Sequence, residues 1–197
     1  MMRKTVLLAL ILTLAVAGSA QAYTSGVPTG LTGAPGESNC AACHDDYGSG
    51  SGGISISMPY ACAPGETLEI TVDMHHMGQQ KWGFEMTCLD ELDEPCGDFI
   101  IHDHDRTQLD VDGDTGRQYV MHTGFGTDEG HMGMCLGWTF EWVCPQDSHP
   151  QVTFYVSGVA ANDGSGTNGD YVYTETLAIE QTPVEAASWG RIKRLYQ

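Results

Sequence analysis

Apolar and polar residues alternate in short runs through most of the chain after Gly53, and turn-forming residues separate these runs. Alternation over roughly four to eight residues predicts β-strands with one buried face. The pattern predicts strands at 53–58, 67–74, 82–89, 98–102, 117–122, 136–143, 151–159 and 171–179. A series of seven or eight short strands, with Gly and Pro between them, predicts an all-β fold built as an antiparallel β-sandwich.

The regions outside these strands have different compositions. Arg3 and Lys4, the apolar run at 6–17 and the Ala-Gln-Ala at 20–22 are typical of a secretory signal peptide, so the mature chain is expected to start at Tyr23. Gly, Pro, Ser and Thr then predominate, which favours an extended lead-in. The sequence thus predicts a signal peptide at 1–22, a lead-in at 23–52, a sandwich at 53–182 and a solvated tail at 183–197.

The lead-in contains the motif Cys40-Ala41-Ala42-Cys43-His44, which is the attachment pattern of c-type haem. One helical turn would present both thiols to the vinyl groups on one porphyrin edge and place the adjacent imidazole under the iron. A disulfide between the two cysteines, or half of a zinc site, is the structural alternative. A second Cys or His pair at zinc spacing is not evident, so the motif predicts a covalently attached haem c with His44 as the proximal ligand.

Charge narrows the set of partners. The 197 residues include 26 Asp plus Glu against 8 Lys plus Arg, for a formal charge of −18. Removal of Arg3 and Lys4 with the signal peptide would leave 6 cations and a charge of about −20. This charge excludes nucleic acid as a favoured partner and predicts redox proteins with basic docking faces.

All seven cysteines follow the signal peptide, as expected for an oxidising compartment. No later apolar run is long enough to span a bilayer, so no transmembrane helix is expected in the mature chain. We therefore expect an exported protein that is periplasmic, at the cell surface or extracellular.

Six segments together resemble a known family. They are TGAPGESNCAACH at 32–44, APGETLEITV at 63–72, WGFEMTCLD at 82–90, YVMHTG at 119–124, WTFEWVCP at 138–145 and VTFYVSGVAANDGSGTNGDYVYT at 152–174. In this order they resemble the bacterial exported choice-of-anchor domain, which is similar to the reelin N-terminal (reeler) domain and often carries CxxCH near its start. The resemblance implies an immunoglobulin-like β-sandwich and a monohaem c-type cytochrome domain.

A six-coordinate electron carrier also needs a second axial ligand. Alternate loops of an antiparallel sandwich emerge at one end, so the turn at 75–81 and the loop after His122 are expected to lie together. His122 also matches the His of the family's YVxHT segment, and the resemblance makes it the first choice for the distal ligand. His75 and His76 are the alternatives, and a structural His122 is the competing interpretation.

Two further groups are weighed as metal sites. Asp110, Asp112 and Asp114 alternate and could bind calcium, but Gly116 and the missing Glu at the twelfth position depart from an EF-hand, which favours a solvated acidic turn. A second group, His102, Asp103, His104 and Asp105, could bind a transition metal, because alternation in a strand would put both histidines on one face. An exposed polar strand explains this segment equally well.

The remaining cysteines predict two disulfides, and the tryptophans predict core positions. We pair Cys62 with Cys144, because both loops should share an end of the sandwich, and Cys88 with Cys96, which flank an acidic turn. Cys135 is then free or pairs between chains. The core tryptophans are expected to be Trp82, Trp138 and Trp142.

These observations favour an exported monohaem c-type cytochrome that passes single electrons between redox partners, rather than a catalyst. An open distal site would instead allow peroxidase-like chemistry or gas binding. A surface adhesion or binding module with a structural haem is the third hypothesis, supported by fold analogy alone.

Overall fold

The computed structural model describes residues 26–44, 50–162 and 166–182. Within these ranges the chain forms ten strands, together with two 3-10 helices at Cys40–Ala42 and Phe125–Thr127. The strands are β1 (Gly53–Ser57), β2 (Ala61–Cys62), β3 (Thr67–His75), β4 (Lys81–Asp90), β5 (Asp98–Ile100), β6 (Thr107–Val111), β7 (Gln118–His122), β8 (Trp138–Val143), β9 (Gln151–Ala161) and β10 (Tyr171–Gln181).

The strands form two sheets that pack face to face. One has four strands in the order β1-β3-β8-β5, and the other has six in the order β2-β10-β9-β4-β7-β6. Neighbouring strands are antiparallel except for the short parallel pair of β2 and β10. The predicted antiparallel β-sandwich is confirmed, with β2 and β6 added to the eight strands that the sequence predicted.

The core lies between the sheets and follows the alternation in sequence. In β3, Leu68, Ile70, Val72 and Met74 are buried, while the residues between them are more exposed. The predicted tryptophans are confirmed as core residues, since Trp82, Trp138 and Trp142 are each at most 1% exposed. Each indole N–H donates to a backbone carbonyl, of His131, Gly126 and Cys96 respectively, which satisfies the polar atom of a buried tryptophan.

The lead-in covers the outer face of the six-stranded sheet. The amide of Leu31 donates to Glu85 Oε2 (2.6 Å), and the amide of Cys40 donates to Ser157 Oγ (3.1 Å). Cys40 also packs against Val159 and Val172 in a small apolar cluster. These anchors place the CxxCH motif on β9 and β10 and the segment before it on β4, although the lead-in itself has no apolar periodicity.

One of the two predicted disulfides is present. Cys62 and Cys144 are bonded, with their Cα atoms 6.2 Å apart, and they join the edge strand β2 of one sheet to the end of β8 in the other. The second predicted disulfide was wrong, because Cys88 and Cys96 are buried free thiols in this structure. They are nevertheless neighbours, because the amide of Cys96 donates to the Cys88 carbonyl (3.2 Å).

Cys135 is a free thiol in this chain, and its sulfur accepts a hydrogen bond from the amide of Met74 (3.1 Å). The predicted signal peptide at 1–22 and the tail at 183–197 lie outside the described residues. None of the helices in the described part of the chain has the length and apolar character that a membrane span requires.

Candidate functional site

A cavity lies between the lead-in and the end of the six-stranded sheet. Its enclosed volume is about 110 Å³, which is below the roughly 300–1,000 Å³ of small-molecule and cofactor sites, so a group of that size would also occupy the space at its open mouth. Its walls are mainly apolar. The lining residues are Val27, Pro28, Leu31, Cys40, Cys43, His44, Lys81, Trp82, Gly83, Phe84, His122, Thr127, Val159 and Ala161.

The CxxCH motif forms one short turn at the edge of this cavity. The side chain of Asn39 caps the turn by accepting from the Ala41 amide (2.9 Å), and the amide of His44 donates to the Cys40 carbonyl (3.0 Å). Cys40 is buried, whereas Cys43 is exposed, and neither is in a disulfide. The turn therefore brings both thiols and the imidazole of His44 to one cavity.

Burial changes the acidity of the first cysteine of the motif. Removal from water raises the pKa of the Cys40 thiol to about 12, and the hydrogen bond with Ser157 opposes this shift only in part. Cys40 is therefore a neutral thiol at physiological pH. Its side chain belongs to the buried apolar cluster that it forms with Val159 and Val172.

His44 is held by a buried carboxylate. Its Nδ1 lies 2.8 Å from Oδ2 of Asp170, the residue immediately before β10, and Asp170 is only 2% exposed. The amide of Asn162 approaches the other oxygen of Asp170 at 3.4 Å. Because one ring nitrogen is occupied by Asp170, Nε2 is the nitrogen of His44 that can bind a metal.

His122 lies at the end of β7 and lines the same cavity. Its Nδ1 is 3.0 Å from the amide nitrogen and 3.1 Å from the carbonyl oxygen of Phe84, and the side chain is buried. When the Phe84 amide donates to Nδ1, the proton of the neutral imidazole lies on Nε2. The other tautomer donates from Nδ1 to the Phe84 carbonyl and carries its lone pair on Nε2, so metal coordination by His122 requires this second tautomer. The structure thus brings His122 together with Cys40, Cys43 and His44.

The alternative distal residues lie elsewhere. His75 is exposed at the end of β3, and His76 is hydrogen bonded through Nδ1 to the hydroxyl of Tyr173 (2.8 Å). Neither lines the cavity. The turn at 76–80 does meet the loop after His122, as expected, because Gly130 donates to the Gln80 carbonyl (2.8 Å).

One cation reaches the site. Among the three cations in the described part of the chain, Lys81, Arg106 and Arg117, only Lys81 lines the cavity. Its Nζ lies 3.1 Å from Oε2 of Glu129. Arg106 and Arg117 instead pair with Asp128 and Glu37, each at 2.7 Å.

A buried carboxyl lies beneath the lead-in. Glu85 in β4 is fully buried; one oxygen accepts from the Leu31 amide, and the other has no hydrogen-bond partner among the residues that the structure describes. Burial, reinforced by the negative charge of Glu37, raises its pKa from the ordinary value of 4.5 to about 8, against the lowering effect of the Leu31 hydrogen bond. Glu85 is therefore largely protonated at neutral pH.

The other predicted metal residues do not converge. The carboxylate of Asp112 accepts hydrogen bonds from the Asp114 and Thr115 amides and the Thr115 hydroxyl, which lower its pKa and stabilise an acidic turn. Asp110 lies on β6. Within the described ranges, the one group of three potential ligands close enough for a metal is Asp90, Glu91 and His149, so the geometry gives the predicted calcium site no support.

The strand predicted at 98–102 ends at Ile100, so His102 and His104 both lie beyond it. The prediction that they share one face of a strand was wrong. His102 instead pairs with Glu141, with 2.9 Å between Nε2 and Oε2. The sequence also missed Asp170, Lys81 and Gly83. For Asp170 the signal was weak: it ends the polar loop 162–170, and no pattern in that loop marks it as a partner of His44.

No protein-family model matches the chain, and no curated protein matches it. Among solved structures, it is similar to a cohesin module from a family 33 glycoside hydrolase of Clostridium perfringens ATCC13124, with a TM-score of 0.44 and 8% identity over 66% of this chain and 96% of that one. It is also similar to a non-cellulosomal cohesin from the hyperthermophilic archaeon Archaeoglobus fulgidus, with a TM-score of 0.35 and 10% identity over 68% of this chain and 94% of that one.

Proposed function

We propose that this protein is an exported monohaem c-type cytochrome that passes single electrons between redox partners. The observation that carries the proposal is an apolar cavity lined by Cys40, Cys43, His44 and His122 together. A CxxCH motif alone predicts attachment, but a second buried imidazole in the same cavity supplies the residue types of a six-coordinate centre. The resemblance to the reeler-like exported domain agrees with this proposal.

The residues of the cavity fit such a group. Cys40 and Cys43 would hold it through thioether bonds, and His44 and His122 would bind the iron. When bound, the haem supplies reversible one-electron transfer. His44 and His122 would supply two imidazole ligands, which would favour a lower potential than a His and Met pair.

The walls and rim have separate roles. Trp82, Phe84 and Val159 present apolar surface, which excludes water and lowers the local dielectric around the site. Lys81 at the lining can pair with an anionic group such as a propionate carboxylate. An apolar pocket with one cation suits an amphiphilic prosthetic group.

The net negative charge of the chain supports redox partners with basic docking faces. At −18 overall, its field attracts proteins that present basic docking faces and accelerates their encounter. We propose that the electron donor and acceptor are redox proteins of this kind, met in the periplasm or outside the cell.

The first test uses the full chain expressed with c-type maturation. Haem that survives acid–acetone extraction, and a reduced spectrum unchanged by carbon monoxide, are the expected results because both axial positions would be filled. Absence of bound haem would overturn the proposal. Carbon monoxide binding by the unaltered protein would contradict the electron-carrier assignment and favour a gas-binding or peroxidase-like protein.

A variant then tests the distal ligand. His122→Ala is expected to retain the haem through Cys40 and Cys43, lose the low-spin spectrum and bind carbon monoxide. His75→Ala is the matched control, since this exposed histidine does not line the cavity and its removal should leave the spectrum unchanged. A low-spin spectrum in His122→Ala would exclude His122 as the ligand.

A further inference from the structure

We propose that Asp170 is the positioning residue for His44, and that its carboxylate sets the electron-donor strength of this imidazole towards iron. The inference rests on the proposed function, because it concerns His44 as an iron ligand. It assigns a role to a residue 126 positions away from His44 in the sequence.

The carboxylate of Asp170 is a hydrogen-bond acceptor that is fixed in place next to the imidazole of His44. Oδ2 of Asp170 lies 2.8 Å from Nδ1 of His44, and the carboxylate side chain is 3% exposed. Its other oxygen lies 3.4 Å from the amide of Asn162, at the far end of the same loop. The backbone continues directly into β10, so the strand holds Asp170 in place.

The charge of Asp170 is directed at the imidazole. Two other buried carboxylates, Asp128 and Glu37, pair with arginines at 2.7 Å, which compensate their charge. Asp170 faces a histidine instead. A buried hydrogen bond is electrostatically stronger than one in water, so this contact acts on His44 with little screening.

This contact has two consequences for the ligand. It keeps the proton of the neutral imidazole on Nδ1, which leaves the lone pair of Nε2 for iron and fixes the ring orientation. It also makes Nε2 a more basic donor. A stronger donor stabilises the oxidised iron more than the reduced iron, so Asp170 lowers the midpoint potential.

The test compares the haem-loaded wild type with Asp170→Asn and Asp170→Ser. We expect a more positive midpoint potential in both variants, together with shifted g values of the low-spin ferric electron paramagnetic resonance signal. A residue needed only for folding would move neither quantity in protein that has folded and retained haem. Asp114→Asn removes one exposed negative charge from the β6–β7 turn and is the control for a general charge effect.

The outcomes separate this inference from the proposed function. A wild type without haem overturns both. If the wild type and a folded Asp170 variant, both loaded with haem, have the same potential and g values, the inference alone is overturned. Asn is close to Asp in size and Ser is smaller, so one variant can decide the question if the other does not fold. An equal shift of the potential in Asp114→Asn also overturns it, since the effect would then be nonspecific.

Discussion

At the residue scale, Glu85 makes the stability of the sandwich depend on pH. It is fully buried beneath the lead-in, and one of its oxygens has no hydrogen-bond partner within the described part of the chain. Its pKa of about 8 in the folded chain exceeds the ordinary 4.5, so the folded state binds this proton more tightly than the unfolded state does. The contribution of Glu85 to stability is complete below about pH 4.5 and is lost as the pH rises through 8.

Glu85→Gln is expected to remove this pH dependence, because an amide resembles the protonated carboxyl and does not ionise. Between pH 4.5 and 8, the wild type should lose about 2–4 kcal/mol of unfolding free energy relative to the variant. Chemical denaturation at several pH values measures this difference. Glu175→Gln on the exposed part of β10 is the control, and parallel pH profiles for Glu85→Gln and the wild type would refute the assignment.

At the element scale, β4 connects the core to the site. Phe84 packs in the core, and its backbone groups contact His122, while its neighbour Gly83 leaves room for the same ring. A Cβ at Gly83 would lie 2.7 Å from Cε1 and 3.0 Å from Nε2 of His122. The strand therefore requires glycine here because a side chain comes close, and not because of its backbone conformation.

Gly83→Ala is expected to displace His122 and weaken its bond to iron. The variant should retain haem but show a partly high-spin spectrum and bind carbon monoxide more readily than the wild type. Gly113→Ala is the matched control, because nothing lies within 4 Å of a Cβ at that turn. A spectrum and carbon monoxide response identical to the wild type would mean that His122 does not ligate from this position.

The elements that the sequence predicted are those with a local pattern. All eight predicted strands have enough apolar alternation to be recognised, whereas β2 has two residues and depends on pairing with β10. The edge strand β6 buries only Thr107 fully, so its pattern is largely polar. The same distinction holds for the site. The CxxCH motif is a local pattern that the sequence shows directly, whereas the contact of His44 with Asp170 joins distant segments and has no sequence pattern.

At the scale of the whole molecule, the two sheets are linked by the disulfide between Cys62 and Cys144, which closes a loop with a sequence separation of 82. A cross-link of this span stabilises by about 2–5 kcal/mol, mainly by restricting the unfolded chain. This linkage holds the end of the sandwich formed by β2 and β8. The sequence allowed it to be predicted because both cysteines fall in loops expected at one end.

The net charge of −18 predicts how electron transfer depends on salt. Reaction with a cationic oxidant, such as a hexaammine complex, should slow as ionic strength rises, because salt screens the attraction. Reaction with ferricyanide should accelerate, because salt screens a repulsion. Stopped-flow rates from about 10 mM to 500 mM salt measure both trends, over which the Debye length falls from about 30 Å to a few Å. Rates that respond equally to salt for both oxidants would show that the acidic surface does not steer encounters, and would contradict partners with basic docking faces.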